Sequence, residues 1–257
     1  MKINIADLIK LLKSHGYHIT NTNKKIHETA IELDEQDVQI ILDVHKNSYS
    51  MSSLPRMVNV IKSCKYCVEN DIPGDFVECG VWRGGNGIIA RKIFERMKSD
   101  KKVYMYDTFA GMTRPTKFDV KSVSKQPAIN KFYSQQTDDH NKWCYASLDE
   151  VKNNCLNSNL NLNKFKFIKG DVCKTLIEKS NLPEKICVLR LDTDWYESTK
   201  VELEMLYPIL SQKGVLILDD YGNWEGSKKA VDEYFNSKKY KPMLNVVDDT
   251  ARSAIKL

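Results

Sequence analysis

Apolar side chains recur at Ile5, Leu8, Ile9 and Leu12, and again at Val38, Ile41 and Leu42, with His45 completing the second face. Spacings of three and four predict amphipathic helices over 3–13 and 34–49. Asp34 stands where the second would take its N-cap. A third helical stretch covers 55–69 and ends in the turn cluster NDIPGD at 70–75. The rhythm then changes. Phe76 to Cys79, Val103 to Tyr106, Phe165 to Ile168, Ile186 to Leu191 and Val215 to Leu218 read as strands. Helices over 85–98, 147–158, 172–179, 196–210 and 226–237 separate or follow them, and short strands near 243–247 and 253–257 close the chain. The runs VLRL and VLIL do not alternate in polarity, which suits central strands covered on both faces.

Strands alternating with helices predict an α/β fold, a parallel sheet with helices on each side. The pattern fails over 110–142, which is polar, rich in Lys, Ser, Gln, Asp and Asn, and without clear periodicity. A stretch of that length inside a compact domain predicts a functional lid or a disordered segment. The expected organisation is a helical N-terminal extension or lid over 1–70 and one α/β domain over 71–257, with 110–146 as a mobile lid.

Composition narrows the function. Of 257 residues, 42% are hydrophobic, and 39 basic residues against 34 acidic ones leave a net charge of only +5. The lysines are scattered and not interleaved with aromatics, which argues against a nucleic-acid partner. No apolar run approaches the ~18–20 residues of a membrane helix. Asp7 and Lys10 interrupt the N-terminus where a signal peptide would be apolar. A cytoplasmic protein without membrane or nucleic-acid partners is the expectation. The amphipathic N-terminal helix leaves room for a homo-oligomer interface. Seven cysteines, an odd number, read as reduced thiols. Cys64 and Cys67 have the gap of half a zinc knuckle, but no second pair completes it, so both are expected in a helix packing face. The five histidines, 15, 18, 27, 45 and 140, show no ligand spacing.

The chemistry concentrates at the carboxyl ends of the expected strands, where open α/β sheets bind ligands. There stand Glu78-Cys79-Gly80, Asp107, Gly170-Asp171, Asp192 with Asp194, and Asp219 with Asp220. VECGVWRGGNG is glycine-rich but is neither the dinucleotide fingerprint nor a P-loop. Glu78 would repel a phosphate and welcome an ammonium, while Arg83 and the following helix N-terminus would meet a carboxylate. A glycine turn that suits an amino-acid zwitterion, with Asp107 placed for two ribose hydroxyls, points to S-adenosylmethionine. The four aspartates suit a hard cation, Mg²⁺ or Ca²⁺. Such an ion lowers the pKa of a substrate hydroxyl, and a spare carboxylate takes the proton. Asp194 has a competing role as N-cap of the helix near Tyr196. Trp82, Trp195, Tyr196 and Trp224 lie nearby in sequence, either to stack on a ligand or to pack.

The motifs VECGVWRGG, YDTFAGM, LRLDTDWYEST, LYPIL…GVLILDDYG and KKAVDEYF, in this order over roughly 55–257, resemble the macrocin O-methyltransferase family. These are Mg²⁺- and S-adenosylmethionine-dependent enzymes that methylate sugar hydroxyls of natural products, among them mycinamicin and novobiocin tailoring enzymes. The resemblance implies a Rossmann-like class I methyltransferase fold with a mostly parallel seven-stranded sheet. It implies Asp192, Asp219 and Asp220 as metal ligands and Asp194 as the general base. Glu78, Cys79, Gly80, Val81, Asp107, Thr108, Asp171 and Asp192 fall in the implied cofactor pocket, with a small sugar-containing molecule as acceptor. Thr193 stands where the family often has Gly, and Trp195 where it often has Leu or Met, which leaves the acceptor open. A catechol-like or other vicinal-diol acceptor is the alternative. A non-enzymatic domain holding a structural cation would not be stabilised by S-adenosylhomocysteine. An NAD(P) enzyme fits the glycine spacing poorly.

Overall fold

The computed structural model describes residues 30–257. The helix expected over 3–13, and His15, His18 and His27, lie outside them. Helix α1 (Glu35–Lys46) starts at the expected cap: the Asp37 N–H donates to Asp34 Oδ1 at 2.9 Å, and Asp37 accepts from Asp34 N–H in return. Helix α2 (Leu54–Glu69) is capped by Ser53. The chain continues as β1 (Asp75–Cys79), α3 (Gly85–Arg96), β2 (Val103–Asp107), α4 (Ala128–Gln135), α5 (Leu148–Asn157), β3 (Phe165–Lys169) and α6 (Val172–Thr175). It ends as β4 (Ile186–Leu191), α7 (Tyr196–Leu206), β5 (Leu210–Leu218), α8 (Glu225–Asn236), β6 (Asn245–Val246) and β7 (Arg252–Ile255).

The strands form one seven-stranded sheet in the order β3-β2-β1-β4-β5-β7-β6. β1 to β5 are parallel, and β7 runs antiparallel to both β5 and β6. The order reverses between β1 and β4, and the crevice beyond such a reversal is where α/β sheets place ligands. Side chains alternate across the sheet. Phe76 and Val188 face α1, α2 and α3 through Ile41, Met57, Ile61, Ile88 and Phe94. Val77, Cys79, Leu189 and Leu191 face α7 and α8 through Leu203, Leu206, Val231 and Phe235. Helices α1 and α2 thus share the main core. Buried Asp37 ties α1 to both neighbours by ion pairs with Lys65 of α2 and Arg96 of α3. Cys64 and Cys67 are buried in this layer, and all seven cysteines are free thiols. Among the described residues, no helix is long and apolar enough to cross a membrane.

The structure departs from the sequence pattern in three places. Helix α7 stops at Leu206, ahead of Pro208, and β5 begins at Leu210, five residues before the expected Val215. A register shift absorbs the extra length, because Ile186 pairs with Leu210 and Val188 with Val215. Helix α6 closes at Thr175, short of the expected 179. Finally, 110–146 contains helix α4, with Ala128 and Phe132 buried one turn apart. That amphipathic signal is too short to register as a period. The rest of the segment is fastened by side chains: Asp119 receives Thr116 N–H and Oγ1, and Asn141 donates to Phe132 O at 2.9 Å.

Candidate active site

A cavity of about 210 Å³ opens beyond the carboxyl ends of β1, β2, β4 and β5, and a smaller one of about 60 Å³ adjoins it. Gly80, Asp107 and Asp192 line both. Glu78, Val81, Asp194, Asp219 and Asp220 line the larger, and Thr108, Asp171 and Thr193 the smaller. Strand ends far apart in sequence are thereby gathered in one place.

Gly80 makes a tight contact between two strand ends. It has φ +80°, and a Cβ there would fall 2.0 Å from Asp192 O, so only glycine lets β1 turn against β4. Asp192 N–H donates to Cys79 O at 2.9 Å across the same junction. The Cys79 side chain itself lies in the core, so this residue acts through its carbonyl. Asp107 braces the glycine loop. Its Oδ2 accepts from Val81 and Trp82 N–H at 2.8 and 3.2 Å, and its Oδ1 from Phe109 N–H at 2.7 Å and Thr108 Oγ1 at 3.4 Å. Burial raises its carboxyl above the usual range, and the three N–H bonds pull it back. Asp171 Oδ1 accepts from Cys173 N–H at 2.9 Å and so starts α6.

Two buried acceptors of residues lining the larger cavity, Glu78 Oε2 and Asn86 Oδ1, find no partner among the described residues. An unsatisfied buried acceptor is costly, and a pair of them suits an incoming ammonium. Arg83 does not join them. Its guanidinium is spent on Glu150 Oε1 at 2.6 Å and Ser48 O at 2.8 Å, so the expected contact with a ligand carboxylate is corrected.

Asp192, Asp219 and Asp220 each bring a carboxylate oxygen within 4.8 Å of the others. Two arginines that the sequence reading passed over stand among them. Arg190, from the middle of VLRL, is fully buried; Nη1 reaches Glu78 at 2.6 Å and Asp192 at 2.7 Å, and Nη2 reaches Asp219 at 2.5 Å. A lone arginine inside a strand covered on both faces was the signal. Arg56 of α2 reaches Asp219 Oδ2 at 2.5 Å. Glu78, Asp192, Asp194, Asp219 and Asp220 still outnumber the two guanidiniums. Burial first, then like-charged neighbours, hold the Asp192 and Asp220 carboxyls well above the usual range. Asp194 is pushed up to about 7, by burial and then by Asp192. Such excess charge suits a divalent cation.

Asp194 sits at φ +67°, its N–H donating to Asp220 Oδ2 at 3.1 Å and its Oδ1 accepting from the Trp224 indole N–H. It does not cap α7. That role falls to Asp119, whose Oδ1 accepts from Tyr196 N–H at 2.8 Å, so segment 110–146 is anchored to the turn that carries Asp194. Gly226 makes room for this carboxylate, since a Cβ there would lie 2.1 Å from Asp119 Oδ1. Trp195 and Trp224 pack edge to face at 5.0 Å, with Trp143 of the segment against both, and Trp195 Nε1 donates to Thr113 O at 2.9 Å. Both are buried, while Trp82 lines the larger cavity, and the Tyr196 hydroxyl turns to Glu233 at 2.7 Å. Thr193 Oγ1 donates to buried Glu202 Oε1 at 2.8 Å, and burial pushes that carboxyl up to about 8.

The sequence matches the family described as macrocin-O-methyltransferase (TylF) over residues 5–253. It is 33% identical over 190 residues to demethyldecarbamoylnovobiocin O-methyltransferase of Streptomyces niveus, covering 73% of this chain and 68% of that one. It is likewise 33% identical over 194 residues to 8-demethyl-8-(2,3-dimethoxy-alpha-L-rhamnosyl)-tetracenomycin-C 4'-O-methyltransferase of Streptomyces olivaceus, covering 73% and 67%. Mycinamicin III 3''-O-methyltransferase of Micromonospora griseorubida is 30% identical over 189 residues, covering 73% and 70%. Among solved structures, the O-methyltransferase NovP superposes with a TM-score of 0.71 at 30% identity, covering 81% of this chain and 82% of that one.

Proposed function

This chain belongs to the macrocin-O-methyltransferase family and is an S-adenosylmethionine-dependent O-methyltransferase, and from that premise we propose that it uses Mg²⁺ to methylate a sugar hydroxyl of a natural product. The carrying observation is the convergence of three aspartate oxygens within 4.8 Å in the cavity that also holds Asp194 and the orphaned acceptors. The donor set is all hard oxygen with excess negative charge, which fits Mg²⁺. The relatives' names support the acceptor class, since one is a 4'-O-methyltransferase of a rhamnosyl tetracenomycin.

In this reading, Glu78 Oε2 and Asn86 Oδ1 take the methionine ammonium, with Gly80, Val81 and the Cys79 carbonyl shaping the turn beside it. Thr108, Asp107, Asp171 and Asp192 border the smaller cavity that receives the adenosine end. Asp192, Asp219 and Asp220 would hold the ion, which would lower the pKa of the acceptor hydroxyl. Asp194 accepts that proton as the oxygen takes the methyl from the sulfonium. S-adenosylhomocysteine and the methyl ether leave, and Asp194 returns its proton to solvent. Much of the rate comes from holding oxygen and methyl in line. Transfer from methyl-labelled S-adenosylmethionine to glycosylated acceptors, followed by acid hydrolysis, tests the acceptor: the label is expected in the released sugar, and label on a phenolic aglycone would discard the sugar assignment.

Asp107→Ala is expected to weaken S-adenosylhomocysteine binding at least about tenfold, because charge-assisted bonds of about 1.5–3 kcal/mol each hold the loop that meets the cofactor. Calorimetry giving unchanged affinity would remove Asp107 from the cofactor site. The segment 110–146 is assigned as the lid that excludes water from the reaction. Limited proteolysis within it should slow when cofactor and acceptor are both present, and equal cleavage in both states would make it a fixed insert.

A further inference from the structure

Asp219 differs from the other two candidate ligands. Both its oxygens are already held by guanidiniums: Oδ1 by Arg190 Nη2 at 2.5 Å and Oδ2 by Arg56 Nη1 at 2.5 Å. Asp192 receives Arg190 on Oδ2, and Asp220 receives the Asp194 N–H on Oδ2, so among the described residues neither is bound by guanidiniums on both oxygens. A cation drawing on all three carboxylates must therefore compete for Asp219.

The two arginines are unequal competitors. Arg190 is fully buried in β4 and bonds Glu78 and Asp192 as well as Asp219. Moving it would strand those carboxylates in the interior, which is strongly unfavourable. Arg56 comes from the first turn of α2, and its side chain is 18% exposed. It also has a second set of partners on the far side. Its Nε donates to Asp248 Oδ2 at 2.7 Å, and its Nη2 donates to Thr250 Oγ1. Asp248 is fixed in turn by Ser53 Oγ at 2.6 Å and by the Thr250 and Ala251 N–H groups at 3.0 and 2.8 Å. Arg56 can release Asp219 and remain paired.

We propose that Arg56 is a built-in counter-cation of the metal site, neutralising Asp219 until a divalent ion displaces it onto Asp248 and Thr250, and that it thereby sets the site's metal affinity. The inference rests on reading the aspartate cluster as the metal site. Its physical content is charge competition. An ion that takes Asp219 must break that carboxylate's contact with the Arg56 guanidinium, and even at water's dielectric constant the attraction given up changes affinity about tenfold. In exchange, the metal-free cluster is relieved of part of its own repulsion. Arg56 also lines the cavity beside Ser50 and Ser52, so its release changes the wall that an acceptor meets.

Calorimetric titration of the full chain with MgCl₂ alone, without substrate, tests this. Arg56→Gln is expected to bind Mg²⁺ at least about tenfold more tightly than the unsubstituted protein. Asp248→Asn, which weakens the alternative anchor and leaves Arg56 more committed to Asp219, is expected to bind it more weakly. General damage to the fold would weaken both, so opposite signs are the signature. Equal or weaker binding by folded Arg56→Gln overturns the proposal. Should that variant fail to fold, equal or tighter binding by Asp248→Asn overturns it. Absence of Mg²⁺ binding by the unsubstituted protein, with S-adenosylhomocysteine still bound, would instead remove the metal site itself and the role of Arg56 with it.

Discussion

Asp194→Asn should fold normally, keep its Mg²⁺ affinity and turn over about 10²–10⁴-fold more slowly, the range by which a positioned general base accelerates proton transfer. The substitution is unusually clean at this position. Asp194 has φ +67°, a left-handed conformation that Asn tolerates nearly as well as Asp. The Asn carbonyl still accepts the Trp224 indole N–H, and the backbone N–H still reaches Asp220 Oδ2. Helix α7 keeps its cap, because Asp119 supplies it. What is lost is the ability to take a proton and one carboxylate charge that is not among the proposed ligands, so Mg²⁺ binding should survive. Single-turnover rates with saturating cofactor and acceptor, beside thermal melts and a Mg²⁺ titration, give the three readouts. A variant as fast as the unsubstituted enzyme would leave the base to be found elsewhere, and one that no longer binds Mg²⁺ would make Asp194 a ligand.

Exhaustive chelation with EDTA should abolish methyl transfer, and added Mg²⁺ should restore it. Without the ion, the acceptor hydroxyl keeps its ordinary high pKa, and a carboxyl near 7 is far too weak a base to deprotonate it. S-adenosylhomocysteine binding should survive the same treatment. The orphaned acceptors on Glu78 and Asn86 and the loop braced by Asp107 are not among the proposed metal ligands. Binding of the cofactor product by calorimetry, set against turnover in the same chelated sample, separates the two functions. Full activity after chelation would rule out a metal-dependent reaction.

The elements of the fold were legible because they are local. The apolar spacing at Val38, Ile41 and Leu42, the cap at Asp34 and the non-alternating run VLIL each report burial over a few residues, and the structure forms a helix, a cap and a central strand there. The acids at the strand ends were legible for a related reason. Parallel strands deliver their carboxyl ends to one edge of the sheet, so Asp107, Asp192 and Asp219 share that edge once the strands are recognised. Segment 110–146 was less legible, since Asp119 and Asn141 bury polar groups by bonding backbone, which leaves no apolar period to read.

The sequence by itself determined the order of strands and helices, the acidic rim and, through its motifs, the family. Only the tertiary structure decided the charge balance of the site and what holds each acid in place. Arg56 and Asp219 are 163 residues apart, Asp119 and the α7 N-terminus 77, and Glu78 and Arg190 112. No local pattern encodes such pairs. They exist because β1 lies between β2 and β4, because α2 packs against β4 and β5, and because a buried charge must find an opposite partner wherever the packed sheet brings one within reach.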